Sequence, residues 1–445
     1  MATSESGVIS RFSEMGPTWL AGAIAVGPAT MGALVTAGAS FDYTLLWVVV
    51  LSAVMGATAQ YLAMRLGLLT EAGIVSAVED NLGSAWAWLL VADTVIAAGL
   101  AQLVIMKTLA GVSAEITGLS PVTWAVAWGV ILALGLAGGG YNYAELGAKV
   151  LVTLVVLLFV ASLFVVPIDF GAAAAGLVPA VPAGVEGALL AAGILGGAVH
   201  IALVTMQSYT MRAREWTTDD SKLALLDVGA SMLVAFGIAS LAIFLVAAAV
   251  LSDPSLTTVG AANALGPLVG TNAQWLFLLG LWGAAVTTLG ANTVVPPYLI
   301  ADKMGWDRDT EDTRYRVTIA AFALISILGV FIPGAVFGLL IQALAIGFVG
   351  TPFVLALVLY LLNDATAVPE TNSALENVGG LLLIAISTVV AGQWLQRVAA
   401  GGVTDPVSLA ILAFAAVLGV AMVGLAAMSV QNWLADDPDP AVAAD

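Results

Sequence analysis

The sequence predicts an all-α polytopic membrane protein of about twelve transmembrane helices. Ten of them form an inverted repeat of five plus five, with two helices interrupted at mid-membrane. Three observations lead there. Hydrophobic residues make up 61% of the 445, charged residues only 9%, and mean hydropathy is +1.06. A soluble domain carries about 25% charged residues. Two spans that lie five apart are broken by Gly or Pro near their middles. Basic residues fall almost wholly on one side.

Apolar runs of about 20 residues place spans at 16–38, 42–65, 85–109, 121–138, 145–167, 185–212, 222–251, 272–301, 315–334, 337–362, 376–397 and 407–433. The ninth and tenth are separated only by Ile332-Pro333-Gly334. The chain divides into an N-terminal segment 1–15, a first repeat 16–170 and a second repeat 185–362. Two further spans, 376–433, and an acidic tail, 434–445, follow. Residues 1–15 are polar, so a cleaved signal peptide is not expected. With the N-terminus inside, Arg11, Arg65, Lys149, Arg212, Arg214, Lys222, Lys303, Arg308, Arg314 and Arg316 fall on the cytoplasmic side. Only Lys107 and Arg397 fall outside, so ten of the twelve basic residues obey the positive-inside rule.

The absence of cysteine excludes disulfides, thiol catalysis and iron–sulfur clusters. A single histidine argues against a zinc site or a catalytic triad. No Walker A loop, HExxH, CxxC or GxSxG occurs. No enzyme activity, cofactor or nucleic-acid partner is expected; the partners are the lipid bilayer and a small solute. The net charge of −17, with Asp436, Asp437, Asp439 and Asp445 in the tail, suits a halophilic source. A disordered acidic tail is the plainer account of the last ten residues.

The first interrupted span carries Gly27-Pro28-Ala29-Thr30-Met31-Gly32 at its middle. Proline removes a backbone donor and clashes with the preceding turn. In a membrane the freed backbone survives only inside protein or along a water-filled cavity. Either a substrate sits at this break or it is a simple kink. The sixth span repeats the pattern, with Gly193, Gly196 and Gly197 before Ala198-Val199-His200. Paired interruptions in corresponding halves point to a midplane substrate site.

His200, the one histidine, lies within a span and is a candidate proton carrier or ligand. Asp93 lies within the third span, where a carboxylate needs water, a partner or a cavity. Gln102, Asn292 and Gln342 are neutral polar groups inside spans. Interhelical hydrogen bonding accounts for Gln102 and Asn292. Gln342 precedes Gly347, Gly350 and Pro352, so its helix is expected to be irregular. Asp227 and Glu145 sit at membrane boundaries and are expected to pair with nearby Lys or Arg.

At this point a pattern emerges. Gly16-Pro17, Gly27-Pro28-Ala29-Thr30 and Ala37-Gly38-Ala39-Ser40-Phe41-Asp42-Tyr43-Thr44-Leu45-Leu46-Trp47 together resemble the first span of the Nramp family of divalent-metal transporters. Gln60-Tyr61-Leu62-Ala63-Met64-Arg65-Leu66-Gly67-Leu68-Leu69-Thr70 is similar to that family's Gln-x-x-Ala-x-Arg-Leu-Gly-x-x-Thr signature. Weaker echoes occur at Asp93, Gln102, Glu145, Asp227 and Gln342 with Pro352-Phe353. The resemblance implies a LeuT-like fold and alternating access. It places substrate at Gly27, Thr30, Ala198 and Gln342, with His200, Asp93 and Gln102 in proton passage or gating. Any metal would be held at Thr30, Gly27 and Ala198 through hydroxyl and backbone carbonyls.

The departures are specific. The family's Asp-Pro-Gly-Asn binds metal through Asp and Asn, and here those positions are Gly27 and Thr30. The family's Met-Pro-His reads Ala198-Val199-His200. The family's acidic positions in the third span fall at Gly99 and Gln102. A site without an anionic or thioether ligand compensates a bare divalent ion poorly and does not select softer transition metals. It suits a hydrated hard ion of the Mg2+/Mn2+ class, taken up with or without proton coupling. A transporter of a small neutral or zwitterionic solute, and a non-transporting membrane sensor, also remain open.

Overall fold

The computed structural model describes residues 26–138, 142–251, 257–308, 310–400 and 406–436. The expected start of the first span at Gly16-Pro17, Arg11, and the tail residues Asp437, Asp439 and Asp445 lie outside them, as does the side chain of Glu145. Every other expected span is met by a helix or helix pair. Among the described residues nine helices are long and apolar enough to cross a membrane, and Pro121–Leu136 and Lys149–Ser162 are shorter apolar helices.

In chain order the elements begin with α1 (Pro28–Phe41), α2 (Leu46–Thr70), α3 (Ile74–Leu82), α4 (Ser84–Thr117), α5 (Pro121–Gly138), α6 (Asn142–Ser162) and a short α7 (Phe170–Ala175). After them come α8 (Val185–Val199) and α9 (Ile201–Ala213). Next, α10 (Ser221–Val228) passes through a wide π-type stretch, Gly229–Phe236, into α11 (Gly237–Val250). Then come α12 (Ala273–Met304), α13 (Thr313–Ile325), α14 (Val336–Val349) and α15 (Thr351–Leu361). The last two spans are α16 (Ala374–Ala400) and α17 (Pro406–Asp436). The expected boundary at 332–334 is a true one, because the chain turns at Gly334 with φ of 117°. The amphipathic α3, on the loop after the second span, was not anticipated.

The α8–α9 span runs through the interior, with 89% of its most apolar 18-residue stretch buried. Its glycines do not break it. Gly193, Gly196 and Gly197 all lie inside continuous helix. A Cβ on Gly193 would stand 2.9 Å from Ile341, and one on Gly196 would stand 2.5 Å from the Leu344 carbonyl. These glycines let α8 and α14 approach backbone to backbone, the usual role of small residues between membrane helices. The chain breaks later, at His200, whose φ of −56° and ψ of 137° are extended.

The same device recurs around the centre. Gly38 of α1 packs on the backbone of α11, where a Cβ would stand 2.7 Å from Ala248 N. Gly67 of α2 packs on Ser208 of α9, and Gly280 of α12 on Val155 of α6.

Charged pairs collect at one end. Arg65 at the end of α2 meets Glu370 and Glu376, both at 3.4 Å. Lys303 meets Glu79 at 2.8 Å, and Arg214 meets Asp227 at 2.9 Å, as expected for Asp227. Asp302 accepts hydrogen bonds from Ser76 of α3 at 3.0 Å and from Tyr209 of α9 at 2.7 Å. Arg308 pairs with Asp302 at 2.5 Å. This basic end thus fastens α3 to α9 and α12.

Candidate functional site

The first break is visible from Gly27 onward. Gly27 is extended, with φ of −65° and ψ of 175°, and Pro28 opens α1 at its first position. Proline suits that position because its missing N–H would be unpaired there anyway. The Gly27 carbonyl accepts the first helical bond, from Met31 N–H at 3.0 Å. A helix therefore begins at Pro28, and its positive N-terminal end lies beside Gly27.

The second break meets the first. A Cβ on Gly197 would stand 2.6 Å from Thr30 Oγ1, so the Thr30 hydroxyl rests directly on the last turn of α8. Thr30 is buried. Ala198 turns elsewhere. Its Cβ would be 3.2 Å from a Cβ on Gly56 of α2, which is also overlain by Met232 from the π-type stretch. At the end of α8, the Val199 carbonyl accepts a 2.6 Å hydrogen bond from the Thr351 hydroxyl. One orphan carbonyl of the broken helix is thereby satisfied by α15.

His200 caps the second half of its span. Its Nδ1 accepts from Ala202 N–H at 3.2 Å, so in the neutral ring Nε2 carries the proton. That Nε2 has no partner among the described residues. It lies against Gly347, where a Cβ would stand only 1.8 Å away. Asp93 is buried with its carboxyl against Gly350, where a Cβ would stand 2.3 Å from Oδ2. Asp93 Oδ2 also lacks a partner among the described residues. Gly347 and Gly350 are one helical turn apart at the joint between α14 and α15. The two candidate titratable groups, far apart in sequence, thus rest on one turn. The irregularity expected near Gln342 is this joint. Gln342 itself is exposed on α14, beside Ile341 and Leu344, which pack on α8.

Gln102 is not at the breaks. It donates to Thr293 Oγ1 and accepts from Asn292 at 3.3 Å, while Asn292 also donates to the Ala98 carbonyl at 2.6 Å. These three form the interhelical bonding between α4 and α12 expected of such residues.

The sequence reading missed Thr288 of α12. A Cβ on Gly27 would stand 2.9 Å from Thr288 Oγ1. The Thr287-Thr288 pair inside an apolar span was the available signal. Among the described residues no group of three or more His, Asp or Glu could hold a metal ion. The meeting point of the breaks offers hydroxyls, carbonyls and helix ends, with no charged ligand.

Comparison with known proteins fits this geometry. A sequence model of the Nramp family, described as natural resistance-associated macrophage protein-like, matches residues 18–397. A protein of Mycobacterium tuberculosis named divalent metal cation transporter MntH is 30% identical over 298 residues, covering 62% of this chain and 68% of that one. A Yersinia pestis protein of the same name is 29% identical over 307 residues, covering 64% and 71%. The crystal structure of a manganese transporter of Eremococcus coleocola superposes with a TM-score of 0.73 at 17% identity, covering 97% of this chain and 96% of that one. MhsT, solved in complex with L-phenylalanine, gives 0.53 at 17% identity over 85% and 98%.

Proposed function

The chain belongs to the Nramp family, and on that premise we propose that it is a secondary transporter moving a hard divalent cation of the Mg2+/Mn2+ class by alternating access. The observation that carries this reading is the meeting of two broken helices at Thr30 and Gly197 around neutral oxygen groups. A bare divalent ion is poorly compensated by neutral donors, whereas a hydrated ion brings its own shell. Mg2+ in particular sheds water reluctantly. The substrate therefore travels with much of its water. Gln342, an exposed amide on a spanning helix, lines the same aqueous path, because an amide facing lipid would be costly.

Transport runs without obligatory proton coupling. Asp93 and His200 act as a gate whose free atoms, Oδ2 and Nε2, meet the joint of α14 and α15. The protein sits in the cell membrane with its N-terminus and its basic end in the cytoplasm.

Proteoliposomes loaded with a Mg2+- or Mn2+-sensitive fluorophore test this, at high salt and across internal and external pH. Saturable signal without acidification is expected. Acidification in step with uptake would restore proton coupling, and His200→Ala should then flatten its pH profile. No response to any divalent ion would overturn the reading in favour of an organic solute.

A further inference from the structure

Gly27 at the start of α1 and Gly197 in the last turn of α8 are each overlain by a threonine from another helix. Gly197 is covered by Thr30 of α1, and Gly27 by Thr288 of α12. Threonines buried in spanning helices of this protein usually donate to a carbonyl one turn back. Thr287, the preceding residue, donates to Gly283 and Ala284 at 3.1 and 3.0 Å, and Thr293 to Leu289 at 2.7 Å. Thr30 and Thr288 make no such bond, and neither do Thr36 of α1 and Thr153 of α6, but only Thr30 and Thr288 lie over a glycine beside a helix end. Neither hydroxyl hydrogen-bonds to any described residue, although Thr30 is buried and Thr288 half-buried.

An unpaired hydroxyl within a membrane is costly unless water or a ligand completes it. Back-bonding was available to Thr288, since threonine has two accessible rotamers in a helix. The rotamer observed instead turns Oγ1 toward Gly27, into space that any side chain at 27 would fill. Gly27 is not held by a left-handed conformation, since its φ is −65°. Its requirement is steric, and Thr288 is what it makes room for.

We propose that Thr288 is a substrate-contacting, specificity-determining residue. With Thr30 it forms a hydroxyl pair flanking the first break, and the pair accepts hydrogen bonds from the water shell of the transported cation. This rests on the functional reading above. Two neutral acceptors suit hydrated Mg2+ better than a stripped transition metal, which favours nitrogen or sulfur ligands.

Uptake of Mg2+ and Mn2+ by the full-length protein in proteoliposomes tests the inference. Thr288→Val keeps the shape and removes the oxygen. It is expected to raise the half-saturating Mg2+ concentration about tenfold, the loss of one charge-assisted contact. Thr288→Ser should regain most of that loss. Gly27→Ala puts a Cβ against Thr288 Oγ1 and should mimic Thr288→Val, and the two losses should not add in the double variant. Thermal unfolding of each purified variant identifies loss through misfolding, and Thr288→Ser carries the test if Thr288→Val unfolds. Wild-type affinity in Thr288→Val, or additive losses, would overturn the role of Thr288. A wild-type protein inert to every divalent ion would instead overturn the transport reading itself.

Discussion

Around α8, helices meet through glycine, and the polar groups near the helix ends include the Thr30 hydroxyl, one imidazole and one carboxyl, the last two resting on Gly347 and Gly350. At the basic end, the same helices are joined by charge: Asp302 gathers Ser76, Tyr209 and Arg308, while Arg65 bridges Glu370 and Glu376. The centre is held by shape and the end by electrostatics. The difference follows from what each region must do. A pathway for a cation needs surfaces that release it, and fixed anions would retain it. A closed end needs contacts that hold two repeats together and can also exchange for water.

This contrast can be broken by substitution. The largest effect is expected from Gly347→Leu. Even a Cβ there would stand 1.8 Å from His200 Nε2, and the buried imidazole is held by its bond from Ala202 N–H. Overpacking at a closed core site falls in the exceptional class above about 4 kcal/mol. Little folded protein should be recovered by size-exclusion chromatography. A well-folded, active Gly347→Leu would show that the centre is not shape-limited.

Next in size is Asp302→Ala, which strips one acceptor from Ser76, Tyr209 and Arg308. Truncating one partner of a largely buried pair is expected to cost about 3 kcal/mol. Thermal unfolding should show that loss, and labelling of a cysteine introduced near Gly73 should rise as the end opens. An unchanged melt and unchanged labelling would mean that the latch closes nothing.

The smallest effect belongs to Asp312, outside the spans. The hydrogen-bonded Arg314 guanidinium holds its carboxyl down at about 2. A depressed carboxyl contributes stability above its ordinary value near 3.9, and that contribution is lost as pH falls through about 2. Asp312→Asn should therefore lower the melting temperature slightly at pH 7 and not at all below about pH 2. In 1 M salt, where the Debye length is about 3 Å, the difference should shrink further. A large effect at high salt would show that the pair is not a surface contact.

Much of this was legible in the sequence. Pro28 starts a helix, as its local chemistry allows, with Gly27 extended before it. The positions of the spans followed from hydropathy, and the pairing of Asp227 from its place near Arg214. The second break was legible only in outline. Glycine signals either a break or a close approach, and which one depends on the helix opposite. Gly193, Gly196 and Gly197 proved to be approaches to α14 and α1, and the break fell to His200. Thr288 was illegible for a related reason, since nothing local distinguishes it from the back-bonded Thr287.

The sequence by itself determined that the chain lies in a membrane, where most of its apolar helices run, and that a helix can start at Pro28. Those properties come from transfer free energy and from backbone geometry at proline, which act within a few residues. Only the tertiary structure decided that Gly27 faces Thr288, that Gly197 faces Thr30, and that Asp93 and His200 share one turn of a helix near residue 350. Those are contacts between helices up to some 260 residues apart (Gly27 to Thr288 spans 261 positions). Packing sets them, because a glycine has no side chain of its own with which to announce its neighbour.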